Sequence, residues 1–359
     1  MSGTAGIPAP SGRGGRQNRT VAPGARARLR STVDLLRSLA VTGGGGLEAA
    51  RQQRLETILA AEQLGDTELT ARVIGAYDVP AIWTHSDEPG QAAQVVAAAE
   101  RTLAMLPPDA KDATRARLLA TIAIESRGDT GSRGRSAAMQ AEDIARHLED
   151  PALLAFALNG VFMQTFYRTG LAEQRDAIGT ELITLSSRHG LVTYELLGRL
   201  IRLQARCAFG DLAGADEHAN AADVLATSYE SPLVAVFTGW YRALRLAMTD
   251  RPPAEVAAAY RAAAAGLEGC GMLAGWGRYE PWIRPLVLLT QNRRDEALAV
   301  LGTVPDPPND HLLETLWCFV AQAALALGDR DSMQRAYRAY LRELAEALNT
   351  LAGLSRMKG

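Results

Sequence analysis

The sequence predicts an all-α chain in which αα-hairpins follow one another in a right-handed superhelical array, with a repeat period of about forty residues. Three observations predict it. Apolar residues recur at helical spacing, as in Leu55, Ile58 and Leu59, and no segment alternates apolar and polar residues as a half-buried strand would. Brief turns holding Gly, Asp or Pro separate the apolar stretches. Those turns recur at a fixed interval: Gly170, Gly210 and Asp250 stand forty apart, and Leu153, Val192 and Leu233 open the intervening stretches at intervals of 39 and 41. A single hairpin cannot cover its own apolar face, so neighbours must stack.

The elements follow in order. Residues 1–30 carry Gly, Pro, Ser and six arginines with few large apolar side chains, so a disordered basic tail is expected. Ser31–Ala40 reads as a short helix, broken by the glycines of Thr42–Gly46, each costing about 1 kcal/mol relative to Ala in a helix. Leu47–Leu64 and Thr67–Ala76 read as helices around Gly65-Asp66. Tyr77–Gly90 reads as extended or looped because Pro80 and Pro89 break regular structure, and Gln91–Leu106 closes at Pro107-Pro108. Residues 31–111 are thus a helical N-terminal region or cap.

From residue 112 the helices become regular. They are expected near 112–125, 136–148, 151–169, 172–188, 191–209, 212–228, 232–248, 253–267, 279–290, 294–302, 310–327 and 330–348. Residues 112–348 form the repeat region, and 349–359 a flexible tail. Within a unit, Gly210 suits the left-handed end of one helix and Asp211 caps the next; Gly328-Asp329 repeats the device.

Composition excludes several functions. Apolar residues at 47 % and charged residues at 22 % suit a large soluble core, and no apolar run reaches a membrane span. Net charge of −2 gives no reason to expect a polyanion binder. Cys207, Cys270 and Cys318 are scattered without CxxC spacing, which fits reduced thiols in the cytoplasm; Cys207 reads as packing and Cys270, between glycines, as more exposed. No phosphate loop occurs, since Lys111 and Lys358 are the only lysines and neither follows a glycine-rich turn. His85, His147, His189, His218 and His311 lack metal-ligand spacing. His147 and His189 read as helix-ending residues, and His218 is explained by solvent or capping contacts. No G-x-S-x-G elbow is present, so no catalytic residue, cofactor or metal is assigned.

The binding candidates are arginines and aromatics. Phe162, Phe166, Tyr167, Phe237, Trp240, Trp276, Trp282 and Trp317 cluster unevenly, and most are expected to pack between hairpins. Arg199 with Arg202, and Arg242 with Arg245, share helix faces through their i,i+3 spacing. With Arg168, Arg278, Trp240 and Trp282 they form the expected groove, suited to an acidic or aromatic partner through bidentate and cation–π contacts.

The stretches "RLLATIAIESRGD", "DPALLAFALNGVFMQTFYRTG", "RHGLVTYELLGRLIRLQARCAFGDLAGADEHA" and "SPLVAVFTGWYRALRLA" resemble the C-terminal repeat region of the Streptomyces antibiotic regulatory protein family of actinomycete transcriptional regulators. "QRLETILAAEQLGDTELTARVIGAYDVPAIWTHSDEPGQAAQVVAAAERTL" resembles the segment before those repeats, so the likeness spans roughly 47–348. It implies tetratricopeptide-like hairpins that receive regulatory signals. The family's winged-helix and ATPase domains have no counterpart here, since there is no room before Ser31 and no ATPase loop. A split, truncated or standalone regulator is therefore expected. Its function would be non-enzymatic binding of a protein, a peptide or a small signal, with a transcriptional regulator or ATPase as partner. DNA binding through the basic tail and an unrecognised enzymatic site are the alternatives.

Overall fold

The computed structural model describes residues 23–339, apart from 43, 83–87, 167, 169, 268–278 and 311. Every regular element among them is helical. The helices are α1 (Pro23–Thr42), α2 (Gly44–Gln63), α3 (Thr67–Gly75), α4 (Pro89–Met105), α5 (Asp112–Glu125), α6 (Ser132–His147), α7 (Pro151–Thr165) and α8 (Ala172–His189). They continue with α9 (Val192–Ala208), α10 (Leu212–Ser228), α11 (Val234–Ala247), α12 (Pro253–Ala264), α13 (Glu280–Thr290), α14 (Arg294–Leu301) and α15 (Leu313–Leu327). A 3-10 turn, Ala265–Leu267, follows α12, and a last helix, α16, is described over 330–339.

Turn chemistry sets the hairpins. Gly210 and Gly328 adopt positive φ at the ends of α9 and α15, and Gly170 does so in the turn before α8, positions where a side chain would be strained. Asp211 then caps α10, its Oδ1 accepting from the Gly214 N–H at 2.9 Å. Asp66 does the same for α3, accepting from the Leu69 N–H at 3.0 Å, and Asp329 accepts from the Asp331 N–H at 3.1 Å. Gly-Asp thus works as one device three times. At the α13–α14 turn Asn292 takes the left-handed role, with φ of 59°.

Several boundaries move: α4 begins at Pro89 within the expected loop, α6 at Ser132 rather than 136, α7 ends at Thr165 rather than 169, and α15 begins at Leu313 rather than 310. Helix α1 starts at Pro23, inside the stretch expected as a disordered tail, because Val33 and Leu36 bury one face and Arg26 pairs with Asp66. The glycine break is narrower than expected, since α2 already begins at Gly44. Residues 1–22 and 340–359, including the expected C-terminal tail, lie outside the described residues.

Neighbouring helices pack pairwise along the chain, from α1–α2 through α11–α12 and again from α13 through α15. Alternate helices meet as well: α1 with α3, α3 with α5, α5 with α7, α9 with α11 and α13 with α15, and α2 also touches α4. Odd-numbered helices therefore neighbour one another from α1 to α7, from α9 to α11 and from α13 to α15, with even-numbered helices packed against them. Helices α1–α4 share one apolar core with α5–α9, built on Leu36, Ile58, Leu69, Leu118, Phe156 and Leu182. Helices α9–α11 add a second core around Leu200, Ala219 and Tyr241, while Tyr279, Trp282, Trp317 and Val320 enclose a third at the C-terminal end. The closest crossing joins α8 and α9. A Cβ on Gly198 would stand 2.9 Å from the Gly179 carbonyl oxygen, and one on Gly179 3.0 Å from that of Gly198.

Candidate functional site

The expected groove residues occupy several places. Arg202 Nε donates to Asp176 Oδ1 on α8 at 3.0 Å, and Arg206 joins the same carboxylate at 2.9 Å. Arg242 pairs with Asp223 on α10, and Arg245 with Asp216 on α10 at 3.3 Å. Arg199 bonds Glu195 one turn back at 3.0 Å. Arg202, Arg242 and Arg245 are thus held by aspartates of the preceding even-numbered helix, and Arg199 by a glutamate of its own. Trp240 packs edge-on against Phe237 at 5.8 Å. Trp282 is buried in the C-terminal core with its Nε1–H on the Pro305 carbonyl at 2.9 Å. Arg168 is half-buried near the α7–α8 turn, its carbonyl accepting from Arg175 at 2.9 Å. Arg278 and Trp276, like Tyr167, Cys270, His85 and His311, lie outside the described residues.

The feature that spans the odd-numbered helices is an extended stretch of the chain itself, Tyr77 to Ile82, between α3 and α4. It is pinned at three points. Tyr77 lies under the Arg54 guanidinium, 4.1 Å from the ring centroid, while Arg54 Nη1 bonds Glu125 at 2.5 Å. Arg127 reaches the same carboxylate at 3.4 Å. Burial pushes the Glu125 carboxyl up, but Arg54 and Arg127 outweigh it and hold the pKa below the ordinary value. Asp78 comes next. Its carboxylate accepts from Arg117 Nη1 on α5 at 3.0 Å and pairs with Arg37 of α1 at 2.5 Å, and its carbonyl accepts from the Tyr194 hydroxyl on α9 at 2.6 Å. Burial, with the Asp78 charge, raises the Tyr194 pKa well above normal, so the phenol stays a donor.

Ala81 is the third point. Asn159 of α7, fully buried, accepts from the Ala81 N–H at 2.9 Å and donates to the Ala81 carbonyl at 3.0 Å. One carboxamide thus satisfies both backbone groups of one extended residue, as a neighbouring strand would. That contact reads backbone and ignores side-chain identity.

Clefts flank this stretch. One, about 80 Å³, has apolar walls from Leu47, Val79, Ile82, Leu196 and Leu233, with Arg51 and Arg127 in its lining. Another, about 430 Å³, opens between α1, α3 and α5 and carries Arg30, Arg37, Arg72 and Arg117 with Asp34 and Asp78.

Sequence reasoning missed Asp78, Arg117, Asn159 and Tyr194. A signal existed for one: Asn159 is a lone amide in the apolar run of α7, a position that demands a partner. His218 needs a correction. It is buried rather than solvated, and burial together with Arg202, Arg199 and Arg206 depresses its pKa to about 4. His147 and His189 do end α6 and α8. Burial raises the Cys207 and Cys318 thiols, which opposes nucleophilic use. Among the described residues no three His, Cys, Asp or Glu side chains converge as a metal site, and no helix is long and apolar enough to cross a membrane.

No protein-family model matches the chain, and a search of curated proteins finds no match either.

Proposed function

We propose that this chain is a non-enzymatic regulatory scaffold whose odd-numbered helices hold an extended segment of a protein or peptide partner. In this reading the hairpins wind into a right-handed, tetratricopeptide-like superhelix with those helices on its inner wall. The likeness to the repeat region of Streptomyces antibiotic regulatory proteins ties the scaffold to transcriptional regulation, with a cytoplasmic regulator or ATPase as partner. The observation that carries the reading is Asn159 gripping both backbone groups of Ala81, beside Tyr194 on the Asp78 carbonyl. A wall that binds a segment of its own chain through the backbone offers a precedent for seating a partner's segment alongside it.

The apolar cleft beside Val79 favours a second reading, a small-molecule signal. Its lining suits a small apolar body with one anionic group near Arg51.

A displayed library of random peptides, selected on the full chain, tests the first reading. Enriched peptides should protect α5, α7 and α9 from hydrogen exchange when bound. An absence of enriched peptides, or protection confined to even-numbered helices, would overturn it.

A further inference from the structure

We infer that the cleft between α1, α3 and α5 is a subsite for an acidic polypeptide segment; this rests on the scaffold reading above and names the chemistry of its partner. Four arginines on three separate helices line this cleft: Arg30 and Arg37 on α1, Arg72 on α3 and Arg117 on α5. The acids in the lining are Asp34 and Asp78, and Asp150, outside it, reaches Arg117 at 3.7 Å, so the cations open to a further carboxylate are Arg30 and Arg72. Arg30 is exposed and has no acidic partner among the described residues. Arg72 reaches only Glu68, one turn back on its own helix, at 3.4 Å with both side chains open to solvent.

The cleft already displays its preferred group. Asp78 places a carboxylate between Arg37 and Arg117, at 2.5 and 3.0 Å. That carboxylate belongs to the extended stretch whose backbone the odd-numbered helices grip. Charge recognition and backbone recognition therefore meet at one residue. An incoming acidic segment continues this arrangement toward Arg30 and Arg72, the two cations farthest from compensation. Guanidinium forks bind carboxylates through paired hydrogen bonds, which favours Asp and Glu over neutral residues.

A peptide fits better than a nucleic acid. The lining offers no aromatic face for base stacking, and two aspartates within it repel a continuous phosphate chain. A cavity volume of about 430 Å³ accommodates a few residues of a peptide.

The test uses the full chain and a short labelled peptide alternating Asp and Gly, with its Asn and Gly counterpart, read by fluorescence anisotropy. The acidic peptide should bind about tenfold tighter or more at low salt, and lose that advantage as salt rises. Arg30→Glu with Arg72→Glu should abolish the preference with the melting temperature unchanged, since both side chains are solvent-accessible. Asp78→Asn should tighten acidic-peptide binding several-fold by releasing Arg37, while Arg117 keeps Asp150 at 3.7 Å. If Asp78→Asn unfolds the chain, the double arginine variant carries the test alone. Equal binding of the two peptides, with hydrogen-exchange protection on α5, α7 and α9, would overturn the acidic subsite and leave the scaffold reading standing. No binding of either peptide, with no peptide enriched from the random library, would overturn both. Inorganic phosphate binding as tightly as the peptide, or a single-stranded oligonucleotide binding tighter, would also overturn the assignment.

Discussion

Replacing Asn159 by Ala removes the carboxamide that holds Ala81. Both hydrogen bonds are lost, one from the Ala81 N–H at 2.9 Å and one to its carbonyl at 3.0 Å. Neutral hydrogen bonds contribute about 0.5–1.5 kcal/mol each, and a buried group left unpaired costs about 1–3 kcal/mol. Ala81 is half-buried, so water reaches it in part and the lower figures apply. The void left by a fully buried side chain adds to the loss. The expected destabilisation is about 2–3 kcal/mol, concentrated in the stretch from Tyr77 to Ile82 rather than spread over the array. Asn159→Asp should be no better: it retains an acceptor for the N–H but sets a charge against the Ala81 carbonyl. Urea titration gives the global change, and hydrogen exchange at the Ala81 amide gives the local one. Exchange there should accelerate roughly thirtyfold or more. An unchanged Ala81 exchange rate in Asn159→Ala would refute the clamp, and with it the observation on which the scaffold reading stands.

Three more outcomes follow from packing and titration. Gly198→Ala puts a methyl 2.9 Å from the Gly179 carbonyl; overpacking of about 1–3 kcal/mol should exceed the helix-propensity gain of about 1 kcal/mol, with Gly198→Val worse, as measured by thermal melting. The folded-state pKa of His218, about 4, lies below its unfolded value, so the unfolded chain binds more protons between about pH 6.5 and 4. Stability should therefore fall as pH drops through that window, and His218→Gln should flatten the slope of the urea midpoint against pH. Asp211→Ala removes the acceptor for Gly214 N–H and should cost about 0.5–2 kcal/mol, whereas Asp211→Asn keeps most of the cap; circular dichroism melts separate the two.

The helices were legible because their signals are local. Expected and observed bounds agree closely for α5, α8, α10 and α14, where periodicity and end residues coincide. Differences fall where local signals are weak. Three glycines open α2, and arginine-rich sequence begins α1, yet both helices form because their apolar faces find the core of α3–α5. The candidate site was less legible. Arg202, Arg242 and Arg245 announced themselves by spacing, but spacing says which residues share a face and not what that face meets. The aspartates of α8 and α10 meet these arginines instead. Burial of His218 was hidden for the same reason, since its polar neighbours Asp216 and Glu217 made the segment look solvated.

By itself the sequence determined the all-helical character, the turn at each Gly-Asp pair and the hairpin period, because hydrogen bonds within a helix and its caps span only a few residues. Tertiary structure alone decided what the stretch after α3 does. Arg117 and Asp78 are 39 residues apart, Asn159 and Ala81 are 78, and Tyr194 and Asp78 are 116. No local rule links such positions. They meet because helix packing brings α5, α7 and α9 to the same stretch of chain, whose backbone polar groups must find partners there.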